Sequence, residues 1–193
     1  AVEKSLAGAE RAASISGSLL GFAREEDDRH VAALPEVIDD AINCMGRRPE
    51  KDGIEMKIDA QEIRLAIGPL NLQQVLVNLF MNAREAMRRT GGTITVTAEQ
   101  KAQLATLTIA DNGPGIPQEV LDRLYEPFVG RRRDAHARQG TGLGLSICRD
   151  LVEQAGGTIE VDTAADAGTT FTIKLPIAEE LFDTDEAGRT EAA

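Results

Sequence analysis

The sequence has 193 residues, 42% of them hydrophobic, with 32 acidic against 21 basic side chains and a formal net charge of −11. That is enough apolar material for one large domain, or for one domain with an appendage, and the acidic balance argues against a general nucleic-acid or anionic-membrane binder. With no Trp and one Tyr, the chain lacks large aromatic platforms for stacking bases. Cys44 and Cys148 lie far apart without CxxC or Cys/His spacing, and read as ordinary buried thiols of a reduced compartment. No apolar run approaches the ~18 residues of a membrane span and no signal-peptide pattern opens the chain, so a cytoplasmic location is expected. Ala1 in the place of Met leads us to expect a longer parent protein.

In chain order, Val2, Leu6, Ala9, Ala13, Ser16 and Leu20 recur at helical spacing, with Ala12, Ile15, Leu19 and Phe22 alongside. This is a wide face of small apolar residues on one helix, suited to packing against a partner helix. "REEDDR" (24–29) is a charged connection. From His30 the pattern becomes compact α/β. "HVAAL" reads as a short strand, and Pro35 opens an amphipathic helix over 35–48 with basic residues at its end. Strands are expected at 54–58 and 63–67, and a long helix from about 69 to 89 that stops at Gly91-Gly92. "TITVTAEQ" and "LATLTIA" alternate with the strand period and should pair antiparallel. Helices fit 117–125 and 142–155, and "TIEVDT" and "TTFTIKLP" should close a hairpin around "AADAG". Antiparallel strands in one layer and helices in the other predict a two-layer α/β sandwich. The tail, 179–193, carries six acids and one Arg, a composition expected to be disordered. The expected organisation is therefore 1–29, one helix and a linker; 30–178, the α/β domain; and 179–193, the tail.

Three stretches carry chemistry. In "NLFMNAREAM" (78–87) the apolar positions Leu72, Val75, Leu76, Leu79, Ala83 and Ala86 share a helix with Asn78, Asn82 and Glu85 at i, i+4 and i+7. Asparagine is a mediocre helix former because its amide competes for backbone groups, so an amide ladder needs a reason. "DNGPGIP" (111–117) follows a strand; its glycines let backbone approach a flat ligand, and Asp111 can accept a hydrogen bond from an amine. "GTGLGLS" (140–146) opens a helix with bare N–H groups that suit an anion. It matches neither GxGxxG nor a P-loop.

In order, the asparagine helix, DNGPGIP, "LYEPFVG" (124–130) and GTGLGLS resemble the N, G1, F and G2 boxes of the ATP-binding catalytic domain of sensor histidine kinases, in the superfamily shared with gyrase, Hsp90 and MutL. The resemblance covers about 30–177 and implies the Bergerat-type ATP-binding fold. It also implies that helix 1–26 is the second helix of a dimerisation and phosphotransfer hairpin. By this resemblance Asn82 offers its oxygen to a Mg²⁺ that bridges the nucleotide phosphates, a metal that needs few protein ligands when phosphate supplies charge. Asn78 stands where the ATP-hydrolysing relatives carry a glutamate base, and an amide cannot take a proton. Asp111 accepts from the adenine amine. Gly113, Gly115 and Ile116 shape the adenine pocket. Gly140, Thr141, Gly142, Leu143, Gly144 and Leu145 wrap the phosphates, and Phe128 anchors the lid between the F and G2 boxes.

Three departures stand out. The lid carries Arg131, Arg132 and Arg133, which either reach the γ-phosphate as bidentate donors or form a solvated basic loop. Gly68 stands where the family often has Asp. Glu85 replaces a common basic residue and is expected to pair with Arg88 or Arg89. Of the two histidines, His30 precedes Val31 and His136 sits in the lid, so neither fits the family's acceptor; it is expected upstream of Ala1. The implied activity is transfer of the γ-phosphoryl group of Mg-ATP to a histidine. A response regulator receiver domain would be the downstream partner, with homodimerisation through the hairpin and no nucleic-acid or membrane contact by this chain. Rival readings are a scaffold of the same fold, an ATP-hydrolysing clamp and an anti-sigma serine kinase.

Overall fold

The computed structural model describes residues 31–126 and 142–178; the helix expected over 1–26, both histidines, Phe128, Arg131, Arg132, Arg133, Gly140, Thr141 and the acidic tail lie outside them. The elements are β1 (Ala32–Ala33), α1 (Leu34–Cys44), a 3-10 turn (Pro49–Asp52), β2 (Ile54–Ala60), β3 (Arg64–Leu65), α2 (Pro69–Ala86), β4 (Gly92–Lys101), β5 (Leu104–Asp111), α3 (Gln118–Leu121), α4 (Gly144–Gln154), β6 (Thr158–Thr163) and β7 (Thr169–Pro176).

Alternating side chains build a five-stranded sheet in the order β2-β4-β5-β7-β6, and β1 and β3 form a separate antiparallel pair. The expected antiparallel pairs are present, with Val96 opposite Ile109 and Val161 opposite Phe171. The sheet is nevertheless mixed, because β2 runs parallel to β4, Ile54 opposite Gly92. The reason is connectivity. A parallel pair needs a long crossover, and α2 lies between these two strands in the chain.

One face of the sheet carries Ile94, Val96, Leu107, Ile109, Phe171, Ile173 and Leu175, all buried. They form a single core with α2, which inserts Leu72, Val75, Leu76, Leu79, Phe80 and Ala83, and with Met87 just beyond its end. The core thus includes Phe80 and Met87 but not the expected Ala86, which is exposed. The intervening strand positions, such as Thr95, Thr108 and Thr172, are less buried and line the opposite face. Helices α1 and α4 both pack against α2. No helix among the described residues is long and apolar enough to cross a membrane.

All four helices are shorter than their patterns predict, two of them by several residues. α1 ends at Cys44, since Gly46 takes a left-handed φ of 77° and Pro49 starts the 3-10 turn. Its expected basic end is used elsewhere: the Arg47 guanidinium pairs with Asp52 at 3.2 Å. Arg84 of α2 reaches the same carboxylate at 2.7 Å and donates to the Met45 carbonyl at 3.1 Å, tying α2 to the end of α1. The predicted helix 117–125 is regular only over α3; beyond it Leu124 N–H donates to Leu121 O and Glu126 N–H to Arg123 O, tighter i to i+3 turns. Only one thiol fits the expectation of burial. Cys148 is fully buried, whereas Cys44 is exposed and accepts from Gln73 Nε2 at 3.2 Å.

Candidate functional site

Helix α2 organises the site because its amide edge faces two different loops. At one end, Asn78 is half-buried and its Nδ2 donates to the Gly144 carbonyl at 3.4 Å, at the first residue of α4. The fit is close: a Cβ on Gly144 would stand 3.2 Å from Asn78 Oδ1. At the other end, a Cβ on Gly113 would stand 3.2 Å from Met87 Cγ and 3.5 Å from Ala86 Cβ. Asn82 lies between, about one helical turn (~6 Å) from Asn78 and one from Ala86. It is exposed, and among the described residues its side chain has no hydrogen-bond partner. Glu85, further round the helix, pairs with Arg88 at 3.6 Å as expected.

The α4 end of the site is a helix N-terminus without a side-chain cap, preceded by Gly142 at a φ of 69°. Leu145 packs against the core, and Ser146 Oγ donates to the Leu143 carbonyl at 2.9 Å. The leading N–H groups and the dipole of a helix make such an end receptive to anions. Behind it, Asn78 also faces the Cys148 thiol. Burial pushes that thiol up to about 12, and the Asn78 side chain offsets part of the rise. The Tyr125 ring lies 5.1 Å from the Arg149 guanidinium, and its hydroxyl is buried without a hydrogen-bond partner among the described residues.

The other end is built on the last residue of β5. Asp111 is half-buried, and its Oδ1 accepts from the Gly113 amide at 2.8 Å. Burial raises its pKa above the ordinary carboxylate value; the Gly113 and Thr169 amides pull the other way without cancelling it. Asn112 Oδ1 accepts from the Thr93 amide at 2.7 Å, so the loop is pinned to β4 on one side. On the other it rests on the β6–β7 turn. The Asp166 amide donates to the Pro114 carbonyl at 3.0 Å and the Ile116 amide to Thr163 Oγ1 at 2.9 Å. Gly115 (φ 76°) lies against the Ala164 carbonyl and Gly168 (φ 85°) against the Asp111 carbonyl, where no side chain fits. Gly168→Ala is therefore expected to cost roughly 3 kcal/mol of stability, from left-handed strain and a backbone collision, measured as a fall in the urea midpoint with the slope unchanged.

The structure thus gathers Asn78, Asn82, Asp111, Gly113, Gly115, Ile116, Gly142, Leu143, Gly144 and Leu145 along one helix and its two facing loops. Phe128, Arg131, Arg132, Arg133, Gly140 and Thr141 lie outside the described residues. A separate concavity, lined by Asp39, Ile42, Asn43, Gly46, Arg48 and Glu50, contains none of these residues. Sequence reasoning overlooked Thr163 and Thr169, which meet at 3.3 Å beneath the Asp111 loop. Only a partial signal was present, one that marks both as inward-facing but names no partner. Each falls on the inward parity of its strand, in phase with Val161 and Phe171, and an inward polar side chain needs a partner. Chemically, this edge of α2 and its two loops offer a carboxylate acceptor at one end, an anion-receptive helix end at the other, and a spare amide oxygen between.

Residues 67–179 match the family described as histidine kinase-, DNA gyrase B-, and HSP90-like ATPase. The C4-dicarboxylate transport sensor protein DctB of Rhizobium meliloti (strain 1021) is 37% identical over 173 residues, covering 86% of this chain and 26% of DctB. The chain thus spans about a quarter of that relative's length. The mycobacterial sensor histidine kinase MprB superposes with a TM-score of 0.65 at 30% identity, covering 76% of this chain and 96% of the MprB chain. Full-length ShkA, in complex with AMPPNP, superposes with a TM-score of 0.67 at 26% identity, covering 86% of this chain and 35% of that one.

Proposed function

The chain belongs to the histidine kinase-, DNA gyrase B- and HSP90-like ATPase family, and on that footing we propose that it is the catalytic region of a sensor histidine kinase, binding Mg-ATP and presenting the γ-phosphoryl group to a histidine. The observation that carries this reading is the single helix α2, with Asn78 against the start of α4 and Ala86 and Met87 against the Asp111 loop. A nucleotide laid along that edge would put adenine at Asp111 and phosphates at Gly142, Leu143 and Gly144. The AMPPNP held by ShkA favours the same ligand class.

In this reading Asp111 accepts from the adenine amine and Gly113, Gly115 and Ile116 give the base its flat floor. Asn82 is the fitting magnesium ligand, because its amide oxygen is exposed and unspent. Among the described residues no cluster of His, Cys, Asp or Glu offers an all-protein cage, which suits a metal that takes most of its ligands from phosphate and water. When bound, the ion neutralises phosphate charge. Asn78 cannot serve as a base for water, so the site favours transfer over hydrolysis. Catalysis then rests on positioning and charge stabilisation. Phe128, Gly140 and Thr141 are proposed to complete the phosphate side, with one or more of Arg131, Arg132 and Arg133 at the γ-phosphate. For the whole protein we propose a hairpin dimer to which 1–29 contributes one helix, 30–178 as the catalytic domain, 179–193 as a tail, a cytoplasmic site of action and a response regulator receiver domain as the recipient of phosphate.

With γ-labelled ATP the 193-residue chain is expected to bind nucleotide without labelling itself, since neither histidine has the sequence context of the family's acceptor. Addition of a helical hairpin carrying an acceptor histidine should yield an acid-labile, base-stable phosphoprotein. Near-stoichiometric label on His30 or His136 would overturn the acceptor assignment. Absence of nucleotide binding in calorimetry would favour the scaffold, and brisk steady-state hydrolysis the clamp.

A further inference from the structure

Thr163 ends β6 and spends its whole hydrogen-bonding capacity on the Asp111 loop and the turn beneath it. Its hydroxyl donates to the Gly168 carbonyl at 2.8 Å and accepts from the Ile116 amide at 2.9 Å. The third contact is Thr169 Oγ1 at 3.3 Å. A hydroxyl has one proton and two lone pairs. The Thr163 proton is committed to Gly168, so Thr169 must donate in the third contact, and the valence of Thr163 is then filled. The neighbouring contacts, Asp166 N–H to the Pro114 carbonyl and Gly115 against the Ala164 carbonyl, dock Pro114, Gly115 and Ile116 on the same turn. The Gly113 amide, at the start of that loop, holds Asp111 Oδ1.

We propose that Thr163 is a positioning residue for nucleotide recognition: through Ile116 its hydroxyl fixes the height of the Gly113–Ile116 loop, and with it the aim of the Asp111 carboxylate. The inference rests on the ATP-binding reading above. Thr163 itself touches no ligand. Its influence falls on the base and not on the phosphates, which lie at the far end of α2.

Valine copies the shape of threonine and removes all three hydrogen bonds; serine keeps them. In calorimetry with the full chain, Thr163→Val is expected to weaken Mg-ATP and adenosine by roughly 10-fold, the scale of one half-buried amide left without its partner, while inorganic pyrophosphate binds as in the parent. Thr163→Ser should restore ATP affinity. Amide exchange provides the independent readout: Ile116 should be protected in the parent and in Thr163→Ser, and lose protection in Thr163→Val. Unchanged ATP affinity in Thr163→Val, or equal losses for ATP and pyrophosphate, would overturn the proposal. So would a parent Ile116 amide that exchanges as fast as an unstructured one. If the parent binds no ATP, the nucleotide reading fails, and Ile116 exchange still decides the latch. If Thr163→Val does not fold, the same exchange measurement on the parent and Thr163→Ser decides it.

Discussion

Replacing Asn82 by alanine is expected to weaken Mg-ATP binding by roughly 10- to 100-fold or more, taking the losses seen on disturbing groups around a metal site as a lower guide. The fold should be untouched, because Asn82 is exposed, makes no hydrogen bond among the described residues and supports no core contact. Alanine is also the better helix former, so the thermal midpoint should hold or rise slightly. The decisive measurement is ATP affinity with and without magnesium. In the parent the ion should strengthen binding; in Asn82→Ala that gain should shrink towards nothing. A mutant that keeps the full magnesium gain would remove Asn82 from the metal and leave its exposure unexplained. Asn78→Ala makes the contrast. It would break the bond to Gly144 and leave the Cys148 thiol without its amide neighbour, so some stability should be lost along with function.

The two asparagines also show what local sequence could and could not tell. Their spacing was enough to place both on one helical edge, and the β6 and β7 limits follow from alternation alone. The direction of β2 was not legible, because a strand's own pattern carries no information about its partner; it is set by α2 crossing between β2 and β4. The early end of α1 was written in Gly46 and Pro49, yet the basic pair Arg47-Arg48 imitated a helix terminus. Only the tertiary approach of Asp52 and Arg84 shows where Arg47 is used. Thr163 and Thr169 were hidden differently. Threonine is an ordinary strand residue, and nothing local says that Ile116, 47 positions away from Thr163, will need its hydroxyl. The boxes were legible because glycine, asparagine and aspartate are dictated there by close approach and polarity. Their supports were not, because packing chooses them.

Asp111→Asn should separate recognition of the base from binding of the phosphates. The carboxylate stands at the end of β5 beside Gly113, with a loop of glycines before it, and an ionised oxygen accepting from an amine contributes about 1.5–3 kcal/mol. Loss of that bond corresponds to roughly 10- to 150-fold in ATP affinity. Inorganic pyrophosphate, which has no amine, should bind the mutant and the parent alike. GTP presents a carbonyl where ATP presents an amine and should already bind the parent poorly. The pH dependence has a definite sign. Burial raises the Asp111 pKa in the folded chain, so the ligand-ready carboxylate is lost at a higher pH than an exposed aspartate would lose it. As pH falls through that raised value, ATP affinity of the parent should fall while that of Asp111→Asn changes less. For the unliganded chain the linkage runs the other way. The folded state holds this proton more tightly than the unfolded state, so Asp111's contribution to stability is most favourable below the ordinary carboxylate pKa and is lost as pH rises through the raised one. Asp111→Asn should remove that term, making the mutant relatively more stable than the parent at neutral pH than in acid, as long as the amide keeps the Gly113 hydrogen bond. Equal affinities for ATP and GTP in the parent, or a mutant that loses pyrophosphate as severely as ATP, would take Asp111 out of adenine recognition.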